Sequence, residues 1–414
     1  MMTLKQHFTS SFLYLLVAAV FGFFLRLAAT PFSWDIIGNY KYVVHAHSHV
    51  ALLGWVYLGL SSFIVYFFIP KFKNRNHYTK IFWATQACLV GMLIAFPVQG
   101  YAFVSILFST LFLIVSYVFS GFILRHTSPE LKPKKSFSLI RHALFYMVLS
   151  SIGPWALGAI MATLGKASVW YKLAIYFYLH FQYNAWFVLA IIGLLVFILE
   201  KSKLKIETTS FTKFLFFFHT GIIGTFFLST LWTTSHWTIY LLSNFGSLSL
   251  WLGLFYLWKS IKKPLHPLYI ALTPQSKFIL KIIVFVFVLK LIMQTLSGIP
   301  YFAEIATANL DVVIGYLHWF FLGVISLFLL FFASHLEWIK LSKFSISLYL
   351  IAFVSTEFLI FYRAGIVSFN WNYLPNLNTY LALASLIFSL AIISILLQTL
   401  LERNNRHKCI SKTD

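Results

Sequence analysis

The stretch "VVHAHSHVALLGWVYLGLSSFIVYFFI" runs from Val43 to Ile69 without one aspartate, glutamate, lysine or arginine. As a helix rising about 1.5 Å per residue it would be roughly 40 Å long, more than the ~30 Å hydrocarbon core of a bilayer. The rest of the chain repeats the pattern. Of 414 residues, 60% are hydrophobic and 10% charged, with 47 Phe and 13 Trp. A soluble domain carries nearer a quarter charged residues, so this composition reads as a polytopic membrane protein. About twelve apolar runs are long enough to span. They centre near residues 10–28, 43–69, 80–98, 101–123, 140–164, 170–199, 212–232, 236–258, 278–297, 309–333, 343–363 and 376–401. The expected fold is an all-α bundle of about 12 transmembrane helices in a single domain, 1–414, ending in a basic tail, 402–414.

The net charge of +21 is not spread evenly. Lysines and arginines gather in alternate connections: Lys71, Lys73 and Arg75; Arg125, Lys132, Lys134 and Lys135; Lys201, Lys203 and Lys205; Lys259, Lys262 and Lys263; Lys340 and Lys343; Arg403, Arg406 and Lys408. The intervening connections hold little beyond Lys41, Lys166, Lys172 and Arg363. This is the positive-inside pattern, and it places both termini in the cytoplasm. It also assigns the basic charge to topology and lipid contact, with no nucleic-acid partner. The expected location is an inner (plasma) membrane of bacterial type. Arg26 and Leu27 stand where a signal-peptide cleavage site would fall, so the first run reads as a retained helix. Cys88 lies in a span and Cys409 in the tail, which implies no disulfide framework. No connection is long or polar enough for a soluble domain; the longest are 124–139, 259–277 and Ser297–Asp311. No internal repeat is evident.

Histidine is the informative residue. With the amino terminus inside, His45, His47 and His49 fall in the outer turns of the second span, His180 in the outer half of the sixth and His318 in the outer half of the tenth. Their rings then share a layer on the order of 5–15 Å below the outer boundary. An intramembrane imidazole usually faces the bundle interior, where it commonly ligates haem iron or copper or relays protons. His45 and His49 are four apart and share a helix face, whereas His47 points to another. The remaining histidines read as solvated in cytoplasmic connections and termini, with His142 and His236 interfacial near span ends and His219 inside the seventh span, nearer its cytoplasmic side.

Histidines on the second, sixth and tenth of twelve helices resemble the haem–copper oxidase subunit I superfamily. "HSHVALLGW" (His47–Trp55) also resembles the second-helix motif of NnrS-type haem- and copper-containing membrane proteins. The resemblance implies that His47 or His49, with His318, are axial ligands of a haem, and that His180 is a copper-side ligand; His45 is a further candidate metal ligand. It implies that Arg26 and Arg363 hold haem propionates, which a guanidinium can grip bidentately; the alternative for both is snorkelling to headgroups. Haem b is the expected form, because the chain lacks a Cys-x-x-Cys-His attachment motif. Copper is the second metal implied, along with membrane lipid, an electron donor and other respiratory subunits as partners. The chain departs from the superfamily at the copper site. Its seventh span has no adjacent histidine pair, and its tenth has a single histidine, His318, between Tyr316 and Phe320. An incomplete copper site follows, and with it no full oxygen-reducing centre.

The function expected on this resemblance is electron transfer, or interaction with oxygen or nitric oxide; as an enzyme the protein would be an oxidoreductase of the haem–copper type. The alternative is a proton-coupled secondary transporter without haem, using Lys290, Glu357 and the histidines; a silent scaffold is a third. Lys290 in the ninth span and Glu357 in the eleventh have comparable depth, so a structural ion pair is expected between them.

Overall fold

In the computed structural model, residues 3–32, 38–70, 75–233 and 236–410 are described, with backbone alone for 75 and 403–410. Among the described residues, twelve helices are long and apolar enough to cross a bilayer. They are α1 (Leu4–Leu27), α2 (Tyr40–Phe68), α3 (Asn76–Gln99), α4 (Phe103–His126), α5 (Lys135–Thr163), α6 (Val169–Lys201), α7 (Thr208–Thr230), α8 (Trp237–Ala271), α9 (Pro274–Leu296), α10 (Leu310–His335), α11 (Lys343–Phe369) and α12 (Leu377–Glu402). No strand occurs among the described residues. The protein is an all-α polytopic membrane bundle.

Successive helices pack as antiparallel pairs, and α1 lies against α12, which brings the two ends of the bundle together. The interior belongs to α2 and α6, whose apolar windows are 78% and 83% buried; α10 and α12 follow at 50% each. The outer helices instead show large apolar side chains such as Phe103, Phe216, Phe278 and Phe358 to the surroundings. That distribution suits a lipid solvent, which rewards close packing between helices more than removal of apolar surface from the exterior. The pairing of α7 with α8 shows how such packing is achieved. A Cβ added to Gly224 would lie 2.6 Å from the Gly246 Cα, so the two backbones touch where glycines face each other.

The three interior helices share a device not foreseen in the sequence. Each contains a π-helical stretch: Val50–Tyr57 in α2, Phe181–Phe187 in α6 and Phe321–Ser326 in α10. Two of the stretches directly follow a histidine and the third begins three residues after one, and the local sequences can be set side by side: "HVALLGW" from His49, "HFQYNAW" from His180 and "HWFFLGV" from His318. A small residue (Gly54, Ala185, Gly323) stands at the same place in each, and the stretches recur every fourth span. The stretches thus recur in three helices, and single-turn π features of this kind are frequent at functional sites. Trp55 and Ser326, one in each of two such stretches, are joined by a 2.7 Å Nε1–Oγ hydrogen bond that ties α2 to α10.

Two connections also differ from expectation. The segment 259–277 is mostly helical, because α8 continues through Pro264 and Pro267 to Ala271. The outer connection contains a short helix, Pro300–Ala308.

Candidate functional site

The site begins on α1. Ala18, Gly22 and Arg26 recur every fourth residue and therefore share one face of that helix. The Ala18 carbonyl accepts a 2.8 Å hydrogen bond from His47 Nδ1. Since a carbonyl can only accept, this fixes the proton on Nδ1 and leaves the Nε2 lone pair of His47 free. Gly22 lets the ring lie close: a Cβ there would be 3.4 Å from His47 Cε1.

His318 comes to the same place from α10. His47 stands roughly 12 Å along α2 from its Asn39 cap, and His318 roughly 14 Å along α10 from its Asn309 cap, both measured from the same end of the bundle. Their ring centres are 6.3 Å apart, with planes at 72°. Two imidazoles sharing one metal through their nitrogens, at about 2.0 Å each, have ring centres about 6 Å apart. The spacing is compatible with one metal held between the two rings. His318 Nδ1 is buried without a hydrogen-bond partner among the described residues, and its side chain keeps 29% of its surface accessible. Glu357 on α11 lies beside it, 3.9 Å from Nδ1, and both of its carboxyl oxygens are likewise buried and unpartnered. Unsatisfied buried polar groups are rare in folded proteins, so an imidazole nitrogen and a carboxyl left together without partners call for an explanation.

The other sequence candidates lie elsewhere. His45 and His49 face α3 and the turn after it: His49 packs on Phe96 at 4.3 Å, and His45 on Tyr101 at 4.6 Å. His49 Nδ1 bonds to the His45 carbonyl at 2.9 Å, and its Nε2 is 3.4 Å from the Tyr101 hydroxyl. His180 is fully buried. Its Nε2 donates to the Ile222 carbonyl at 2.8 Å, and its Nδ1 meets Asn184 Nδ2 at 3.2 Å, so both nitrogens are engaged by protein. Arg363 is clamped by Asp311 through Nε–Oδ2 and Nη2–Oδ1 contacts of 2.7 and 2.5 Å, and by Asn378 at 3.1 Å. Asn378 in turn donates to the Ala29 carbonyl at 3.1 Å, so this clip joins α10, α11 and α12 to the end of α1. Arg26 makes no side-chain hydrogen bond among the described residues, and it lies within electrostatic reach of His47, His318 and Glu357. Of the two arginines, it is the one left available to an anion near the histidine pair.

The expected Lys290–Glu357 ion pair is not formed. Lys290 donates instead to Asn184 Oδ1 at 2.6 Å and Gln294 Oε1 at 2.5 Å, beneath the rings of Tyr316 and Phe320. With His180 and Ile222, this makes a continuous buried polar chain across α7, α6 and α9. A further histidine pair was missed in the sequence: His142 and His219 have ring centres 4.6 Å apart, and the Tyr146 hydroxyl is 3.0 Å from His219 Nδ1. Their separation in sequence, on α5 and α7, carried no signal for it. Among the described residues, no group of three or more His, Cys, Asp or Glu is placed to hold a metal ion. A cofactor bringing its own equatorial ligands, as haem does, requires of the protein only an axial pair.

Comparison with protein-family models finds no match to the chain, and neither does comparison with curated proteins.

Proposed function

We propose that the protein is a haem-binding integral membrane protein, in which His47 and His318 would hold the iron and Arg26 would meet the haem's acidic groups. The observation that carries this reading is the 6.3 Å separation of two imidazole rings from non-adjacent helices, one with its Nε2 freed by a backbone hydrogen bond. Bound there, a b-type haem supplies reversible one-electron chemistry or a site for oxygen or nitric oxide. The chain's own residues do the rest. The Ala18 carbonyl holds the His47 tautomer, Glu357 sits at the outer nitrogen of His318, and the Trp55–Ser326 bond fixes the two interior helices relative to each other. Outer partners of this kind orient metal-binding imidazoles and tune them. Copper at His180 finds less support, because both of its ring nitrogens already have protein partners.

The transporter reading draws on one specific observation, the buried Lys290–Asn184–His180 chain. Its usual architecture has two related halves, whereas the π-helical stretches occur once in each of α2, α6 and α10. Purified protein from haem-replete cells separates the two readings. A Soret band with sharp reduced α and β bands, at one haem per chain, supports haem; a colourless, folded protein ends that proposal and favours transport.

A further inference from the structure

At the lysine-rich end of the bundle, the start of α7 and the extension of α8 enclose a pocket of about 430 Å³. Five lysines line it: Lys205, Lys213, Lys259, Lys262 and Lys263. All five are exposed, and the only acidic residue among the lining groups is Glu207. That carboxylate is already committed. It caps α7 by accepting from the Thr209 and Ser210 amides at 2.7 Å each, and these bonds, led by Ser210, pull it down to about 2.

The pocket is made by a proline. Pro264 has no N–H to offer the Ser260 carbonyl four residues before it. The Glu207 amide takes that carbonyl instead, at 3.3 Å, and so docks the turn before α7 onto α8. The turn thereby brings Lys205 up to the lysines of α8. Its depth is set by aromatic residues. Lys213 lies over the Tyr256 ring at 5.3 Å, and the neighbouring Trp258 is 55% exposed, as residues at the headgroup level of a membrane are. Below that level, Phe216 and Phe255 present bare apolar surface to the lipid side.

We propose that this pocket binds the phosphodiester headgroup of an anionic phospholipid, whose acyl chains run down over the α7–α8 surface. Crowded ammonium groups repel one another, and a phosphate relieves that repulsion while accepting from several of them; basic pockets between transmembrane helices on the cytoplasmic side bind such headgroups. The continuity of the charged pocket with exposed apolar surface selects a lipid over a free anion. The site is far from the histidine pair and does not depend on any cofactor.

The test uses the full-length protein, delipidated in neutral detergent, mixed with phosphatidylglycerol or phosphatidylcholine, and examined by native mass spectrometry for retained lipid. Phosphatidylglycerol should be retained in preference. The combined variant Lys259→Gln, Lys262→Gln, Lys263→Gln should bind it on the order of 100-fold more weakly, each lysine near an anionic phosphate contributing about fivefold. Removing the same number of charges at the same end but outside the pocket, Lys80→Gln, Lys132→Gln, Lys343→Gln, should change retention by less than about threefold. Three results would overturn the proposal: equal retention of the two lipids, an equal effect of the two variants, or displacement of phosphatidylglycerol by inorganic phosphate at matching concentration.

Discussion

Replacing His47 and His49 one at a time, with His318 as reference, tests the site reading directly. Two residues along a helix rotate a side chain by about 200°, so neighbours in "HSH" cannot serve one metal. The structure turns His47 toward α1 and α10 and His49 toward Phe96 and Tyr101. Outer-shell changes typically weaken metal binding about 10–100-fold, and loss of a ligand costs more. His47→Ala and His318→Ala should therefore each reduce haem affinity by more than about 100-fold, or leave a five-coordinate haem with a broadened α band. Glu357→Gln alters a neighbour of His318 and should stay within the outer-shell range. His49→Ala should leave stoichiometry and spectrum unchanged. The assay is haem titration of protein purified from haem-depleted cells, read by the Soret band and by the reduced spectrum. A coloured wild type in which His49→Ala is the damaging change, and His47→Ala the silent one, would refute the facing argument while sparing haem binding itself.

Three further outcomes follow from the packing. Ser326→Ala orphans the buried Trp55 indole N–H and should cost about 1–3 kcal/mol in thermal or denaturant unfolding; in a Trp55→Phe background the same change should cost under about 1 kcal/mol, and equal costs in both backgrounds would deny the coupling. Asp311→Ala leaves the half-buried Arg363 without its bidentate partner, and a loss of about 1–3 kcal/mol is expected, reduced from the fully buried case by the 25% and 16% side-chain exposure of the pair; Asp311→Asn, which keeps an acceptor, should lose less. Gly246→Leu forces α7 and α8 apart and should lower stability by about 1–3 kcal/mol or more, whereas Gly121→Ala, where an added Cβ meets nothing within 4 Å, should be neutral; a calorimetric or fluorescence melt of each variant in detergent decides it.

What the sequence carried and what it did not divide along a physical line. Span number is a one-dimensional property, set by apolar run length, and for it the twelve helices follow the residue pattern closely. The connection expected at 259–277 is mostly the continuation of α8, which runs on through Pro264 and Pro267 to Ala271. The prolines are tolerated since the carbonyl freed by Pro264 finds the Glu207 amide, a partner that only the folded chain supplies. The Lys290–Glu357 pairing failed for a related reason. Equal depth on two helices says nothing about rotation around their axes, and Lys290 turns toward Asn184 while Glu357 turns toward His318. The same rotation separates the imidazoles: five on three helices are expected at one depth, but of rings on different helices His47 and His318 are the pair that faces each other among them. Rotation is decided by packing, through Ala18 and Gly22 admitting the His47 ring and the Trp55–Ser326 bond setting α2 against α10. These supports lie outside the histidine motif, so a chain could keep "HAHSH" intact and still lose the site through Gly22 or Ser326. The identity of the site therefore rests on the small residues of α1 and the interior hydrogen bond as much as on the imidazoles themselves.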